Sequence, residues 1–317
     1  MVVPRRLSGR SGTSERDRIV TGTSLQIQSV LFNNEPKDIL RAVQAIDRAA
    51  STLKRARDVA LHIHYGDCSP QRPCLEDGDL DRIRAALTQG TLSYSFFNAN
   101  LGSAEGHNRL AAGLTEGYVL IQNPDVVGEA QYLQRLFEVL ENSSCGMAEA
   151  RQLPIEHPKD YSLETGETSW ATTACAMIPV PIFNRLSGFD SKSFFLYCDD
   201  VDFSWRVRLE GLKVIYQPDA IVFHDKRLNR DGSWNPSGAE RYYSVEAALL
   251  MARKYSRPER IQDILRFCDQ CADDVFIKAA ARYRQLERDG QLPEPIDPEH
   301  EVSEFLGDNY APHRFVI

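Results

Sequence analysis

Apolar and polar residues follow two alternating patterns along the first half of the chain. Residues 25–32 alternate in the manner of a strand, and residues 37–52 then place apolar side chains at helical spacing. The alternation continues with predicted strands at 59–65, 91–97 and 118–122 and predicted helices at 80–87 and 110–116. Strands and helices of these lengths in turn predict a mostly parallel, Rossmann-like sheet flanked by helices, with ligands at the carboxyl ends of the strands.

Three aspartates open the most informative segment of the second half. An apolar run at 194–197 is followed by Asp199, Asp200 and Asp202, which suit the first turn of a helix because its partial positive charge favours carboxylates. Gly211 is suited to end this helix in the left-handed conformation. The inward face is predicted from residues that recur every four positions: Val201, Trp205 and Leu209. The spacing of Asp202 and Arg206 predicts an ion pair that supports the helix start.

The remaining pattern of the second half is simpler. Two strands are predicted at 213–217 and 220–223, divided by Pro218, and His224 lies where the second one ends. Further elements are predicted as helices at 131–141 and 240–255 and a strand at 169–180, with polar loops at 156–167 and 229–238. Residues 256–317 predict one or two more helices and a tail rich in proline and acids, to which the pattern assigns no chemistry.

Polar residues stand where two of the predicted strands end. Asp67 follows the second strand, and Asn123-Pro124-Asp125 follows the fourth. Two oxygen-bearing residues one position apart at a strand end can reach the same divalent ion and a diphosphate. For both sites an ordinary turn is the alternative, with Asp67 capping its own backbone and Asn-Pro-Asp simply reversing the chain.

The second half carries a recognisable series. It runs Gly188-Phe189-Asp190, an apolar pair, Tyr197, two acids, Val201-Asp202, Arg206, Gly211 and a strand that ends in His224. This series resembles the inverting glycosyltransferases of the GT-A, family 2 type, particularly the rhamnosyl- and galactofuranosyltransferase-like branch. The resemblance runs from about residue 24 to 255. It implies a GT-A fold with a nucleotide-binding half at 24–125 and an acceptor half at 126–255, preceded by a mobile lead-in at 1–23 and followed by a helical extension at 256–317.

The resemblance also implies roles for particular residues. Asn123, Asp125 and His224 correspond to a metal site for Mn²⁺ or Mg²⁺, and Asp200 corresponds to the catalytic base, with Asp199 as its competitor. The nucleotide would be bound by residues at the ends of the strands and in the loop predicted at 98–108: Asp67, Asn100, Gly102, Asn108, Asn123 and Asp125. The donor is expected to be a UDP- or dTDP-sugar, and the acceptor a saccharide or a lipid-linked saccharide in cell-surface polysaccharide assembly.

Composition and charge limit the classes of partner. A net charge of −8 and a pI near 5.5 argue against a general affinity for nucleic acid. No apolar run approaches a membrane span, and residues 1–18 lack the apolar core of a secretory signal, so a cytoplasmic protein with at most peripheral membrane contact is expected. Seven scattered cysteines favour reduced thiols. Cys268 and Cys271 have the spacing of half a zinc site, but no second pair accompanies them.

Two other functions compete with metal-dependent inverting glycosyl transfer. A sugar-phosphate nucleotidyltransferase would carry a glycine-rich basic loop near its first strand, and residues 31–37 lack one. A catalytically silent sugar-binding module would tolerate the loss of the acids at 199 and 200, and both are present. The sequence therefore favours the transferase.

Overall fold

A computed structural model describes residues 23–225 and 235–315. Within them eight strands form one sheet in the order β3-β2-β1-β4-β7-β6-β8-β5. The strands are β1 Thr23–Leu31, β2 Val59–Asp67, β3 Thr91–Phe96, β4 Tyr118–Gln122, β5 Val126–Gly128, β6 Cys145–Leu153, β7 Cys175–Pro179 and β8 Lys213–His224. The predicted lead-in, apart from residue 23, and most of the loop predicted at 229–238 lie outside the described residues.

Nine helices are assigned in the same described ranges. They are α1 Pro36–Ala56, α2 Asp77–Ala86, α3 Gly102–Ala111, α4 Tyr132–Leu140, α5 Val180–Arg185, α6 Asp199–Leu209, α7 Gly238–Lys254, α8 Pro258–Gln270 and α9 Asp274–Arg288. None of these helices combines the length and the apolar character that crossing a membrane requires. The α/β class and the helical C-terminal extension expected from the sequence are confirmed.

The sheet changes character along its length. β3, β2, β1 and β4 are parallel neighbours, so the carboxyl ends of β2 and β4 lie at one edge. β7 then runs antiparallel to β4 and to β6, and β5 runs antiparallel to β8. The parallel arrangement predicted from the strand and helix alternation therefore holds for the first half, while the second half is mixed.

Pro218 does not divide two strands. β8 is one strand that pairs in parallel with β6, and its register shifts between Gln217 and Ile221 while the partner strand advances by one residue. Such a bulge accommodates a proline, which has no N–H to donate to the ladder. The predicted pair of strands is therefore wrong in detail, although His224 ends β8 as expected.

The predicted loop at 98–108 is largely helix α3, and the helix predicted at 110–116 is misplaced. Gly106 lies inside α3, where a Cβ atom would be 2.6 Å from the Val30 side chain. Gly102 has φ +71°, and a Cβ there would be 2.2 Å from the Phe195 carbonyl oxygen. Both glycines therefore allow close packing within the protein. The family resemblance had instead implied that Gly102 binds the nucleotide.

The helical extension packs on α6 through Trp205, which is fully buried. The ring of Trp205 lies edge-on to Tyr255, Phe305 and Tyr310 at centroid distances of 4.7, 5.3 and 5.7 Å. Arg208, on the same helix, donates to the Val302 carbonyl oxygen at 2.8 Å. Arg208 thus ties the tail to the body of the protein.

Candidate active site

One cleft of about 930 Å³ collects most of the predicted site residues. Its first wall is formed by Asn123 after β4, Asp125 before β5, and His224 at the end of β8. Its second wall begins with Asp199 and Asp200, the first residues of α6. Residues from α7, α8 and the C-terminal tail extend the cleft further. The sequence predicted the sheet edge and the helix start as separate features, and the structure shows that both line the same cleft.

Asp125 and His224 are brought together by strand pairing. β5 and β8 are antiparallel with Val126 opposite His224, which places the preceding Asp125 beside the imidazole. The Asp125 Oδ1 atom lies 3.3 Å from His224 Nε2, and the backbone N–H of Asp225 donates to the Asp125 carbonyl oxygen at 3.1 Å. The side chain of Asp125 remains 39% exposed, so one carboxylate oxygen is available to a ligand.

The donor set at this wall suits a divalent cation. His224 Nδ1 lies 2.7 Å from the Gln152 side-chain oxygen, and this contact orients the ring so that Nε2 faces Asp125. An imidazole nitrogen and a carboxylate oxygen are both ligands that divalent cations accept in proteins. The structure groups no three His, Cys, Asp or Glu side chains for a metal within residues 23–225 and 235–315, so Asn123 and donor phosphates would complete the coordination.

The first turn of α6 is held in an unusual backbone. Tyr197 and Cys198, directly before it, have φ angles of 68° and 57°, in the left-handed region that residues with a side chain rarely adopt. Strain of this kind costs about 1–3 kcal/mol per residue and persists where the surroundings enforce it. Here it turns the chain sharply so that Asp199 and Asp200 point from the helix start into the cleft wall.

The two aspartates have different surroundings. Asp199 is 4% exposed, and its Oδ2 atom finds no hydrogen-bond partner among the described residues. Asp200 is more exposed, and its Oδ1 atom accepts from the Val201 N–H at 2.8 Å. Burial raises the pKa of both carboxyl groups, and the charge of Asp200 raises the pKa of Asp199 further. A carboxylate that holds a proton more readily than usual is suited to accept one from a substrate hydroxyl.

Asp202 is a supporting residue. Its carboxylate is fully buried and accepts from Arg206 Nε at 2.8 Å, Lys254 Nζ at 2.6 Å and the Tyr255 hydroxyl at 3.0 Å. The ion pair predicted between Asp202 and Arg206 is confirmed. Because every oxygen is engaged, this carboxylate anchors α6 to α7 and its neighbours.

Comparison with known proteins agrees with this architecture. No protein-family model matches the chain. The chain is 27% identical over 106 residues to the rhamnosyltransferase WbbL of Escherichia coli (strain K12), a match that covers 32% of this chain and 39% of that protein. The chain thus spans about two fifths of the length of the curated relative that it matches.

Solved structures match over most of the chain. A mannosyltransferase from Pyrobaculum calidifontis, PcManGT in complex with GDP-Man and Mn²⁺, has a TM-score of 0.53 at 14% identity and covers 86% of this chain and 84% of its own. GalNAc-T7 with UDP, GalNAc and Mn²⁺ has a TM-score of 0.59 at 11% identity and covers 86% of this chain and 56% of its own. This chain has the GT-A glycosyltransferase fold.

Within the GT-A fold, Asp67 is directed away from the cleft. It is fully buried at the end of β2, and its carboxylate accepts from the Ser69 N–H at 2.8 Å, the Cys74 N–H at 2.7 Å and the Tyr94 hydroxyl. Burial alone would raise the pKa of Asp67, but these hydrogen bonds outweigh it and lower the pKa. The geometry favours the turn-capping alternative over direct contact with a nucleotide.

Residues of α3 contribute indirectly. Asn108 exchanges two hydrogen bonds of 2.8 Å with the backbone of Phe189, and exposed Asn100 accepts from the Gly102 N–H at 3.3 Å. None of these three predicted nucleotide contacts lies among the residues that line the cleft. Gly102 instead lets the start of α3 approach the 194–197 run, where the Ser103 N–H donates to the Phe195 carbonyl oxygen at 2.9 Å. The Ser103 side chain opposes the rise that burial causes in the Asp199 pKa.

Two groups of lining residues carried no sequence signal for this role. Residues 157–159 come from the loop between β6 and β7, and residues 308–311 and 313 come from the C-terminal tail. For Trp170, in the same loop, the sequence left open a place in the floor of a sugar pocket or in the core, and the buried ring lines the cleft. Glu149 lies beneath them on β6, a strand that the pattern did not predict because its apolar residues are interrupted by Gly146 and Glu149. The available sequence signal was Glu149 itself, because a charged residue inside a buried strand indicates a buried partner of opposite charge.

Proposed function

We propose that this chain is a metal-dependent inverting glycosyltransferase that transfers a sugar from a nucleoside diphosphate donor to a saccharide or lipid-linked saccharide. The proposal rests on two groups of side chains that line the same cleft and form two of its walls. Asp125 and His224 form the cation wall, and Asp199 and Asp200 form the carboxylate wall. An inverting transfer needs both, since the leaving diphosphate and the attacking hydroxyl lie on opposite sides of the reacting carbon.

Each wall has a distinct task in this proposal. Asn123, Asp125 and His224 hold Mn²⁺ or Mg²⁺ with the donor phosphates, and a bound divalent ion stabilises the charge that develops on the leaving diphosphate. Asp200 accepts the proton of the acceptor hydroxyl as that oxygen attacks the anomeric carbon. Asp199 keeps its place beside it as the alternative base, and the helix start at α6 favours the charged form of either carboxylate.

Substrate classes follow from the relatives and from the cleft. The similar solved structures hold GDP-Man or UDP together with Mn²⁺, which supports a nucleotide sugar as donor, and we propose a UDP- or dTDP-sugar. The curated relative is a rhamnosyltransferase, which supports a role in glycan assembly. In this arrangement residues 24–125 carry the donor and residues 126–255 the acceptor. The part of the cleft lined by α7, α8 and the tail then receives the acceptor.

A donor screen tests the proposal. The full chain is incubated with a panel of nucleotide sugars, with Mn²⁺ or with excess chelator, and released nucleoside diphosphate is measured. The proposal predicts hydrolysis or transfer of at least one sugar that disappears with chelator, and inversion at the anomeric carbon when the product is examined by proton NMR. Retention of configuration would contradict the inverting mechanism. Release of pyrophosphate from a nucleoside triphosphate would indicate a nucleotidyltransferase, and sugar binding without turnover a binding module.

A further inference from the structure

Lys159 is a buried cation in the wall of the cleft. Its side chain is 3% exposed, and its ammonium group is paired with the equally buried carboxylate of Glu149. The ammonium also lies 3.9 Å from the centre of the Trp170 ring, a distance at which the ring face attracts a cation. Removing a charge from water is costly unless partners replace the lost hydration. The two partners therefore fix this ammonium in one place.

The position of Lys159 is also fixed from the C-terminal side. Lys159 forms a β-bridge with His313, and the Asp160 N–H donates to the Pro312 carbonyl oxygen at 2.8 Å. Arg314 Nε donates to the Lys159 carbonyl oxygen at 3.1 Å. The loop that carries the lysine is thus clamped by a segment about 150 residues away in sequence.

Lys159 and Asp200 line the same cleft and act on each other electrostatically. Burial raises the pKa of Asp200, whereas the Val201 N–H and the ammonium of Lys159 oppose that shift. In return, the charge of Asp200 opposes the lowering of the Lys159 pKa that burial causes.

Other titratable groups surround this pair. Asp199 is the neighbouring carboxyl group, and Glu149 lies on β6. The Cys198 thiol and the Tyr310 hydroxyl both have pKa values raised by burial, so neither supplies a negative charge near neutral pH. Lys159 is therefore a cation whose charge opposes those of the carboxylates in this cluster. The further basic groups beside it are Arg314, His157 and His313.

We propose that Lys159, held in the cleft wall by Glu149, Trp170 and the C-terminal clamp, is a positioning residue that acts on Asp200 through the charge of its ammonium group. This inference rests on the proposed function in assigning Asp200 the role of base. It adds a task for the loop at 156–168 and for the tail, which no motif in the chain predicted.

The test removes both buried charges together. Lys159→Met alone would leave Glu149 buried without its partner, so the informative variant combines Lys159→Met with Glu149→Gln. The matched control is Lys213→Met with Glu167→Gln, which removes an ion pair of the same residue types at 2.8 Å whose side chains are 41% and 44% exposed. Thermal melting of each variant shows that the folded protein is being compared.

The first readout is the acid side of the pH profile of kcat, at saturating donor and metal. Glu149→Gln alone keeps the lysine and should leave the acid limb in place or move it down. The double variant differs from Glu149→Gln only in lacking the lysine, so Asp200 should hold its proton to higher pH and the acid limb should lie at higher pH than in Glu149→Gln. Coincident limbs in these two variants would overturn the proposal, because a purely structural role lowers turnover without moving the limb.

The second readout needs no turnover. Protein labelled at the aspartate carboxyl carbons is titrated by NMR, and the signals of Asp199 and Asp200 are assigned from the Asp199→Asn and Asp200→Asn variants. The double variant should titrate at higher pH than Glu149→Gln, from which it differs only at Lys159, and the exposed-pair control should titrate as wild type does. If wild-type protein transfers no sugar from any donor, the proposed function fails while this titration still decides whether Lys159 controls Asp200.

Discussion

The two walls of the cleft are built in different ways. The cation wall consists of side chains at the ends of β4 and β8 and the start of β5, and strand pairing alone brings Asp125 to within 3.3 Å of His224. The carboxylate wall depends on two left-handed residues before α6, on α3 and on a loop clamped by the C-terminal tail. A regular sheet therefore positions the cation wall, and contacts between distant segments position the carboxylate wall.

This difference predicts different responses to mutation. The backbone at strand ends is held by hydrogen bonds to the neighbouring strands. A substitution there should therefore remove one ligand and leave the other ligands in place. The carboxylate wall contains buried charges and strained backbone, so substitutions in its supports should alter the ionisation of Asp200 as well as its position. The following predictions separate the two behaviours.

The largest expected effect is on the cation wall. Asp125→Ala removes the carboxylate that faces His224, and turnover should fall to background because the diphosphate loses its cation. Donor turnover with a titration of Mn²⁺ measures this effect. Asp81→Ala serves as the control, because Asp81 is an exposed carboxylate that pairs with Arg84 at 3.6 Å and does not line the cleft. Full turnover of Asp125→Ala in excess chelator would contradict the metal assignment.

On the carboxylate wall, Asp200→Asn should reduce turnover by about 10²-fold or more, the usual scale for loss of a general base. Asp199→Asn should cost much less, because this carboxyl is almost fully buried and less accessible to an acceptor hydroxyl. Both variants are assayed at saturating donor. Near-normal turnover in Asp200→Asn together with an inactive Asp199→Asn would reverse the two roles.

The raised pKa values of Asp199 and Asp200 give a pH dependence of opposite sign for activity and stability. Turnover needs the charged form, so on the acid side it should rise about tenfold per pH unit up to a pKa above that of an ordinary aspartate. The folded protein binds more protons here than the unfolded chain, so this pair lowers stability as pH rises between the unfolded and folded pKa values. Asp199→Asn should therefore raise the melting temperature near pH 8 relative to wild type, and a lower melting temperature there would contradict the assignment.

A smaller effect is expected at Asp67, where the fold and the family resemblance lead to different expectations. The carboxylate holds two backbone N–H groups and Tyr94, so Asp67→Ala should cost about 1–3 kcal/mol of unfolding free energy, the range for leaving buried donors unpaired. Urea unfolding measures this cost, and Tyr94→Phe should reproduce part of it. A large rise in the donor KM with unchanged stability would restore the nucleotide-binding role.

The positions of Asn123, Asp125 and His224 at strand ends were predictable because that information is local, whereas their role as metal ligands was implied by the family resemblance and stays a prediction. Asn123, Asp125 and His224 each follow or end an apolar strand, and parallel strands gather such ends at one edge of a sheet. Asp199 and Asp200 were identified in the same way from a helix start. Local patterns sufficed wherever the position of a side chain is set by the element that carries it.

The parts that the sequence did not predict depend on contacts between distant segments. Glycines at 102 and 106 indicated close approach, but only the fold shows that the approaching groups are Phe195 and Val30. The tail reaches the cleft through a β-bridge between His313 and Lys159. A pairing between residues so far apart in sequence leaves no periodic pattern from which it could be predicted. β6 was missed because a buried Glu149 breaks its apolar pattern, and that break is explained by the lysine it pairs with.

Binding of the nucleoside diphosphate tests most directly whether the two walls have separate tasks. Calorimetric titration of the nucleoside diphosphate of the active donor, with and without Mn²⁺, is carried out on wild type, Asp125→Ala and Asp200→Asn. We expect Asp200→Asn to bind the diphosphate with Mn²⁺ as wild type does, and Asp125→Ala to lose the enhancement by Mn²⁺. Equal loss of binding in both variants, or undiminished Mn²⁺ enhancement in Asp125→Ala, would contradict the account of two walls with separate tasks.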